Sequence, residues 1–191
     1  MASSLEDLTG LLASFLGERS EQSLTATVGD SGRHVHLSQG DLEVLFGAGY
    51  ELTPIKNLSQ PGQFASKETV TLVGPKGVIE RVRVLGPVRS QTQVEILAGD
   101  SFKLGVPAMV RMSGKLEGPP GITLAGPKGT VAIPSGVMVA ARHIHMSLAQ
   151  AASMGLRDGQ IVSIAFGGGS RGRLGNVASR VDHSREAGCH N

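Results

Sequence analysis

In 191 residues there is one cysteine, one tyrosine and no tryptophan, and aromatics make up only 3%. Cys189 stands alone, which excludes an internal disulfide framework and makes a reducing compartment the default. No apolar run approaches the roughly 18 residues that would indicate a membrane span. A formal charge of +2 is too small to imply nucleic acid. With 40% hydrophobic and 18% charged residues, the composition is that of a globular protein. What abounds is glycine, 27 residues, with nine prolines. That pairing favours short strands joined by tight turns over a helical bundle.

The first 23 residues differ from the rest. Leu5, Leu8, Leu12, Phe15 and Leu16 form one helical stripe, with Ser4 as N-cap and Glu6 and Asp7 in the first turn. Without an Arg-rich start and a small-residue cleavage site, the stretch is a poor signal peptide. It reads as a helix packed on its own domain or as a detachable amphipathic helix that binds a partner.

Beyond it, "TLVGPKGVIERVRVLGPV" from Thr71 is echoed by "TLAGPKGTVAIPSGVMVA" from Thr123. Each is a strand, a Gly-Pro-Lys-Gly turn and a second strand, so two related β units are expected. Aligning Leu104-Gly105 with Met154-Gly155 sets Gln93 opposite His143 and Glu95 opposite His145. Short helices are expected over 39–49 and 147–155. The strands expected are 68–74, 78–85, 92–97, 122–126, 137–146, 160–166 and 176–181, with a flexible basic loop over 167–175. The fold class is therefore mainly β: two small related barrels with short flanking helices. The early His-X-His strand is expected to complete the later barrel. The division expected is a helix at 1–23, a first ligand strand and short helix at 24–47, and barrel units at 48–113 and 114–191.

"RHVHLS" at Arg33–Ser38 and "RHIHMS" at Arg142–Ser147 hold four of the six histidines. Alternate residues of a strand share a face, so His34 with His36, and His143 with His145, can each present two imidazoles to one metal ion. Glu95 is a candidate carboxylate ligand through its repeat position. Arg89, near the start of the same strand, suits bidentate capture of phosphate or carboxylate. No Ser-His-Asp signal surrounds any serine, so a serine nucleophile is not expected.

These motifs, with "ELTPIKNLSQPGQFASKETVTLVGPKG", "RVRVLGPVRSQTQVEI", "VRMSGKLEGPPGITLAGPKG" and "VMVAARHIHMS", resemble the PduL-type phosphate propanoyltransferases. Those are the phosphotransacylases of bacterial microcompartments, and the similarity runs from about Gly32 to His190. The resemblance implies reversible transfer of a short acyl group, propanoyl or acetyl, between coenzyme A and phosphate at a site with two zinc ions. His34 and His36 would hold one zinc. His143, His145 and Glu95 would hold the other, joined by His190. Arg89 would bind phosphate, and Ser113 and Arg180 would line the substrate pocket. The resemblance further implies a homo-oligomer in the microcompartment lumen, held to shell or core proteins by residues 1–23. It also leads one to expect an acidic stretch after the last histidine, which this sequence does not show. A zinc-dependent thioester or acyl-phosphate hydrolase, or a non-enzymatic microcompartment component with structural zinc, are the competing expectations.

Overall fold

Alternation along the strands decides which side chains face inward. On the strand Phe64–Val73, residues 66, 68, 70 and 72 are buried and the intervening ones are not. In the computed structural model, residues 27–29, 32–58, 60–167, 171–182 and 188–190 are described. The helix expected at 1–23 lies outside them. The strands are β1 (Thr27–Gly29), β2 (His34–His36), β3 (Pro54–Asn57), β4 (Phe64–Val73), β5 (Val78–Gly86), β6 (Gln93–Glu95) and β7 (Val110–Arg111). They continue with β8 (Ile122–Ala125), β9 (Thr130–Ile133), β10 (Val137–Ala140), β11 (His143–Ser147), β12 (Ile161–Phe166), β13 (Gly172–Asp182) and β14 (Gly188–His190). Among the described residues three short helices, α1 (Gln39–Phe46), α2 (Asp100–Leu104) and α3 (Leu148–Ser153), flank them. The expected mainly β architecture with short helices is the one observed.

One nine-stranded sheet runs β7-β10-β6-β2-β5-β4-β8-β9, with β3 on β4. Because β9 leads into β10 through Pro134–Gly136, the path curls back towards its start around a core that includes Val35, Leu72, Val84, Val94, Leu124 and Val137. A five-stranded sheet, β1-β14-β11-β13-β12, packs its own smaller core around Ile144, Met146, Ala151 and Val177. The expected boundary near residue 113 does not separate these sheets, since β8, β9 and β10 belong with β4. Nor does the early His strand join strands of the later unit. It lies between β5 and β6, and it is β1 that reaches β14.

The repeat is real, but its partners differ from those that the sequence alignment suggests. β4 pairs with β8 antiparallel, centred on Leu72↔Leu124, and β2 pairs with β6 antiparallel, centred on Val35↔Val94. Both pairings have the form of a local two-fold. They match "HVHLSQGDLEVL" (34–45) with "QVEILAGDSFKL" (93–104), so β2–α1 is the counterpart of β6–α2. The side-chain ties obey the same relation. Arg33 clasps Asp100 of α2 through Nε and Nη2, both at 2.9 Å, while Thr92 donates its hydroxyl to Asp41 of α1. β11, aligned with β6 in sequence, lies in the other sheet.

The Gly-Pro-Lys-Gly turns are docking devices for these helices. Lys76 donates its backbone N–H to Leu104 O at the end of α2, at 3.1 Å; Lys128 does the same to Leu45 O of α1, at 3.0 Å. These bonds satisfy carbonyls that a helix C-terminus leaves unpaired. The approach needs glycine: a Cβ on Gly74 would sit 2.2 Å from Leu104 O, and one on Gly126 would sit 2.5 Å from Leu45 O. The second His strand behaves like the first at its exit. Ser38 and Ser147 each accept a hydrogen bond at 3.2 Å from the backbone N–H three residues on, capping α1 and α3. The basic stretch expected to be a loop is partly strand, since β13 starts at Gly172.

Gly74→Ala is expected to lower stability by about 1–3 kcal/mol, because the obstacle is backbone that cannot turn aside. Gly40→Ala, in α1 with nothing within 4 Å of its Cβ, should be neutral or stabilise by up to about 1 kcal/mol. Urea unfolding of the two variants checks the contrast.

Candidate functional site

At the centre of the β2–β6 pair, Val35 and Val94 turn into the core. Period-two alternation therefore sends His34, His36, Gln93 and Glu95 to the opposite face, with His34 across from Glu95 and His36 across from Gln93. That face is not open to solvent either: His36, Gln93 and Glu95 are all buried. Two short strands thus bring four polar side chains into one patch.

His34, His36 and Glu95 each offer a ligand atom, all within 4.8 Å of one another. The alignment of the repeats joins Glu95 to the second histidine pair; the structure sets it against the first, with Oε2 3.4 Å from His34 Nε2. His34 Nδ1 lies 2.9 Å from Gly32 O. A proton on Nδ1 makes that a hydrogen bond and leaves Nε2 as the lone pair facing Glu95. His36 Nδ1 is buried without a hydrogen-bond partner, a costly condition that a bound ion would relieve. Two imidazoles and a carboxylate suit a divalent transition metal such as zinc.

The electrostatics match ligand duty. Burial, helped by the Arg89 charge and by His34, pushes the His36 imidazole down to about 3, so it is neutral at physiological pH. Burial by itself would lower His34 and raise Glu95. The hydrogen bond and charge attraction between them outweigh it, raising His34 and holding Glu95 down at about 2.

β11 repeats the geometry. The His143–His145 ring centroids are 5.0 Å apart, against 5.1 Å for His34–His36. His143 Nδ1 lies 2.8 Å from Ala141 O, again two residues earlier. Both histidines are buried, and burial lowers His143. The register of β11 with β14 sets His143 opposite His190. The charges of Glu95 and Arg180 both reach His143, so the two histidine pairs share one electrostatic neighbourhood.

Arg89 belongs to the same neighbourhood. Its backbone N–H donates to Leu37 O at 2.9 Å, and its Nη1 lies 3.3 Å from Ser113 Oγ. Burial, with the nearby Arg180 charge, lowers its guanidinium although Glu95 opposes this. Two guanidinium charges that feel one another in a half-buried site favour an anion there. Arg180 sits in β13, in register with His145 of β11. The structure thus gathers Arg89, Ser113, His34, His36 and Glu95, with His143, His145 and Arg180 alongside. The sequence reading gave no role to Gln93, although its spacing of two from Glu95 is a signal that it shares the same face.

A family model described as phosphate propanoyltransferase matches residues 27–191. A phosphate propanoyltransferase of Thermotoga maritima is 60% identical over 144 residues, 75% of this chain and 69% of that protein. One from Salmonella typhimurium is 49% identical over 164 residues, covering 85% and 78%. Another from Rhodobacter capsulatus is 46% identical over 183 residues, covering 96% and 85%.

Zinc takes the imidazole only in its neutral form, and the His34 pKa is raised, so affinity should fall as pH drops through that value. Below it, zinc(II) affinity is expected to fall about tenfold per pH unit for each proton displaced. Calorimetric titration at pH 8 and pH 6, in buffers of differing ionisation enthalpy, should find protons released per zinc at pH 6. Affinity independent of pH would contradict the ligand assignment.

Proposed function

Since the chain belongs to the phosphate propanoyltransferase family, we propose that it catalyses reversible transfer of a short acyl group between coenzyme A and inorganic phosphate at a two-zinc site. In the direction that consumes acyl phosphate, CoA takes up the acyl group; in the other, CoA is regenerated. The observation that carries this reading is the meeting of Arg89 and Ser113 with the His34–His36–Glu95 group. A half-buried pair suited to an anion, Arg89 and Ser113, thus borders a metal-ligand set whose His36 and Glu95 are buried.

In this reading His34, His36 and Glu95 would hold one ion, and His143, His145 and His190 the other. Glu95 is thereby moved from the second set, where the resemblance puts it, to the first. Bound zinc would supply Lewis-acid stabilisation of negative charge and a soft partner for a thiolate. Arg89 binds the phosphate, with Arg180 and Ser113 lining its place, and offsets the repulsion between phosphate and the developing oxyanion. A phosphate oxygen attacks the thioester carbonyl carbon, forming a C–O bond and a tetrahedral oxyanion. Collapse of that oxyanion breaks the C–S bond, so CoA leaves as the thiolate and acyl phosphate remains.

Residues 1–23 are proposed to bind a shell or core protein of a microcompartment through their apolar stripe, placing the enzyme in the lumen as a homo-oligomer. Among the described residues no helix is long and apolar enough to cross a membrane.

Arg89→Lys keeps the charge but loses the planar fork, and should lower kcat/KM for acyl transfer by about 10²–10³-fold. Acyl-CoA consumption by the wild type should depend strictly on phosphate and yield acyl phosphate. Consumption without phosphate would mean hydrolysis instead. Removal of residues 1–23 should leave turnover intact and abolish co-localisation with shell proteins in fluorescence microscopy; retained co-localisation would refute the targeting role.

A further inference from the structure

Gln93 is 1% exposed and spends its whole amide inside the site. Its Nε2 donates to Glu95 Oε1 at 2.6 Å and lies 2.9 Å from Ser113 Oγ. Its Oε1 accepts from the Gly114 backbone N–H at 2.8 Å. The amide cannot be reversed: that would set its oxygen against the Glu95 carboxylate and its NH2 against another donor. Glu95 therefore has one oxygen committed to Gln93 and the other, Oε2, turned to His34. Ser113, on the far side of the amide, is also in reach of Arg89.

We infer that Gln93 is a positioning residue that makes Glu95 a one-oxygen metal ligand and ties it through Ser113 to the anion-binding Arg89. The amide does for Glu95 what the Gly32 carbonyl does for His34: it fixes which atom faces the metal. The local two-fold supports the comparison, since Gln93 is the counterpart of His34 and Glu95 that of His36. One half of the patch supplies two ligands; the other supplies one ligand and the group that aims it. A single buried amide then sets both the metal-facing carboxylate and the hydroxyl beside the phosphate grip.

This inference rests on the reading of Glu95 as a metal ligand, and the test separates the two. In the full chain, Gln93→Met keeps the length and removes every hydrogen bond of the amide. Gln93→Glu keeps the shape and the acceptor for Gly114 but replaces the donor facing Glu95. Zinc affinity, measured by competition with a chromophoric chelator, is expected to fall about 10–100-fold in each variant. The visible spectrum of the cobalt(II)-substituted protein should weaken as Glu95 frees its second oxygen and coordination number rises. KM for phosphate should rise while KM for acyl-CoA stays the same. If Gln93→Met does not fold, Gln93→Glu decides. Zinc affinity within about twofold of wild type and an unchanged cobalt spectrum, in a variant that melts like wild type, would overturn the positioning role. Wild-type protein that binds neither zinc nor cobalt would overturn the metal reading itself.

Discussion

The pairing of β2 with β6 in one register is the constraint on which the rest depends. Antiparallel strands exchange their whole set of faces if they slip by one residue. Such a slip here would turn Val35 out of the core and drive the histidines in, or turn Val94 out and drive Gln93 and Glu95 in. Burial of the two valines at 0% exposure therefore does more than stabilise the barrel: it aims His34, His36, Gln93 and Glu95. The flanking ties, Arg33 to Asp100 and Thr92 to Asp41, hold the same register from both ends. Function and folding are thus coupled through one short stretch of ladder.

A patch that holds the neutral His36 imidazole, the His34–Glu95 pair and the half-buried Arg89 guanidinium is expensive to assemble. The His34–Glu95 attraction and the Gln93 amide offset part of that cost, while the orphaned His36 nitrogen and the neighbouring Arg89 and Arg180 charges do not. The uncompensated features ask for opposite partners: lone pairs aimed at a cation, and guanidiniums aimed at an anion. On the reading proposed for this site, metal and phosphate bound together would satisfy both.

Much of this was legible in the chain. Every strand read from period-two alternation and Gly/Pro punctuation has a counterpart, from β4 to β13, and the serines that end both histidine motifs do introduce helices. The elements left out are short. α2, a helix of five residues, carries too little periodicity to stand out. β3, with all four residues exposed, shows no alternation at all. Glu95 was found as a ligand candidate for a reason that the structure replaces. The alignment gave it the place of His145, whereas its true counterpart across the local two-fold is His36.

Residue chemistry by itself determined that this chain carries paired imidazoles on strand faces, an arginine near a carboxylate, and a duplicated hairpin whose turns demand glycine. Those follow from side-chain type and local spacing, which act within a few residues. Only the tertiary structure decided which pair Glu95 joins, which helix each Gly-Pro-Lys-Gly turn caps, and that Gln93 belongs to the site. Those choices rest on strand order and register, contacts across tens of residues. Sequence similarity between the repeats could not rank them, because the two candidates for the partner of β6, β2 and β11, both carry the same His-X-His phrase.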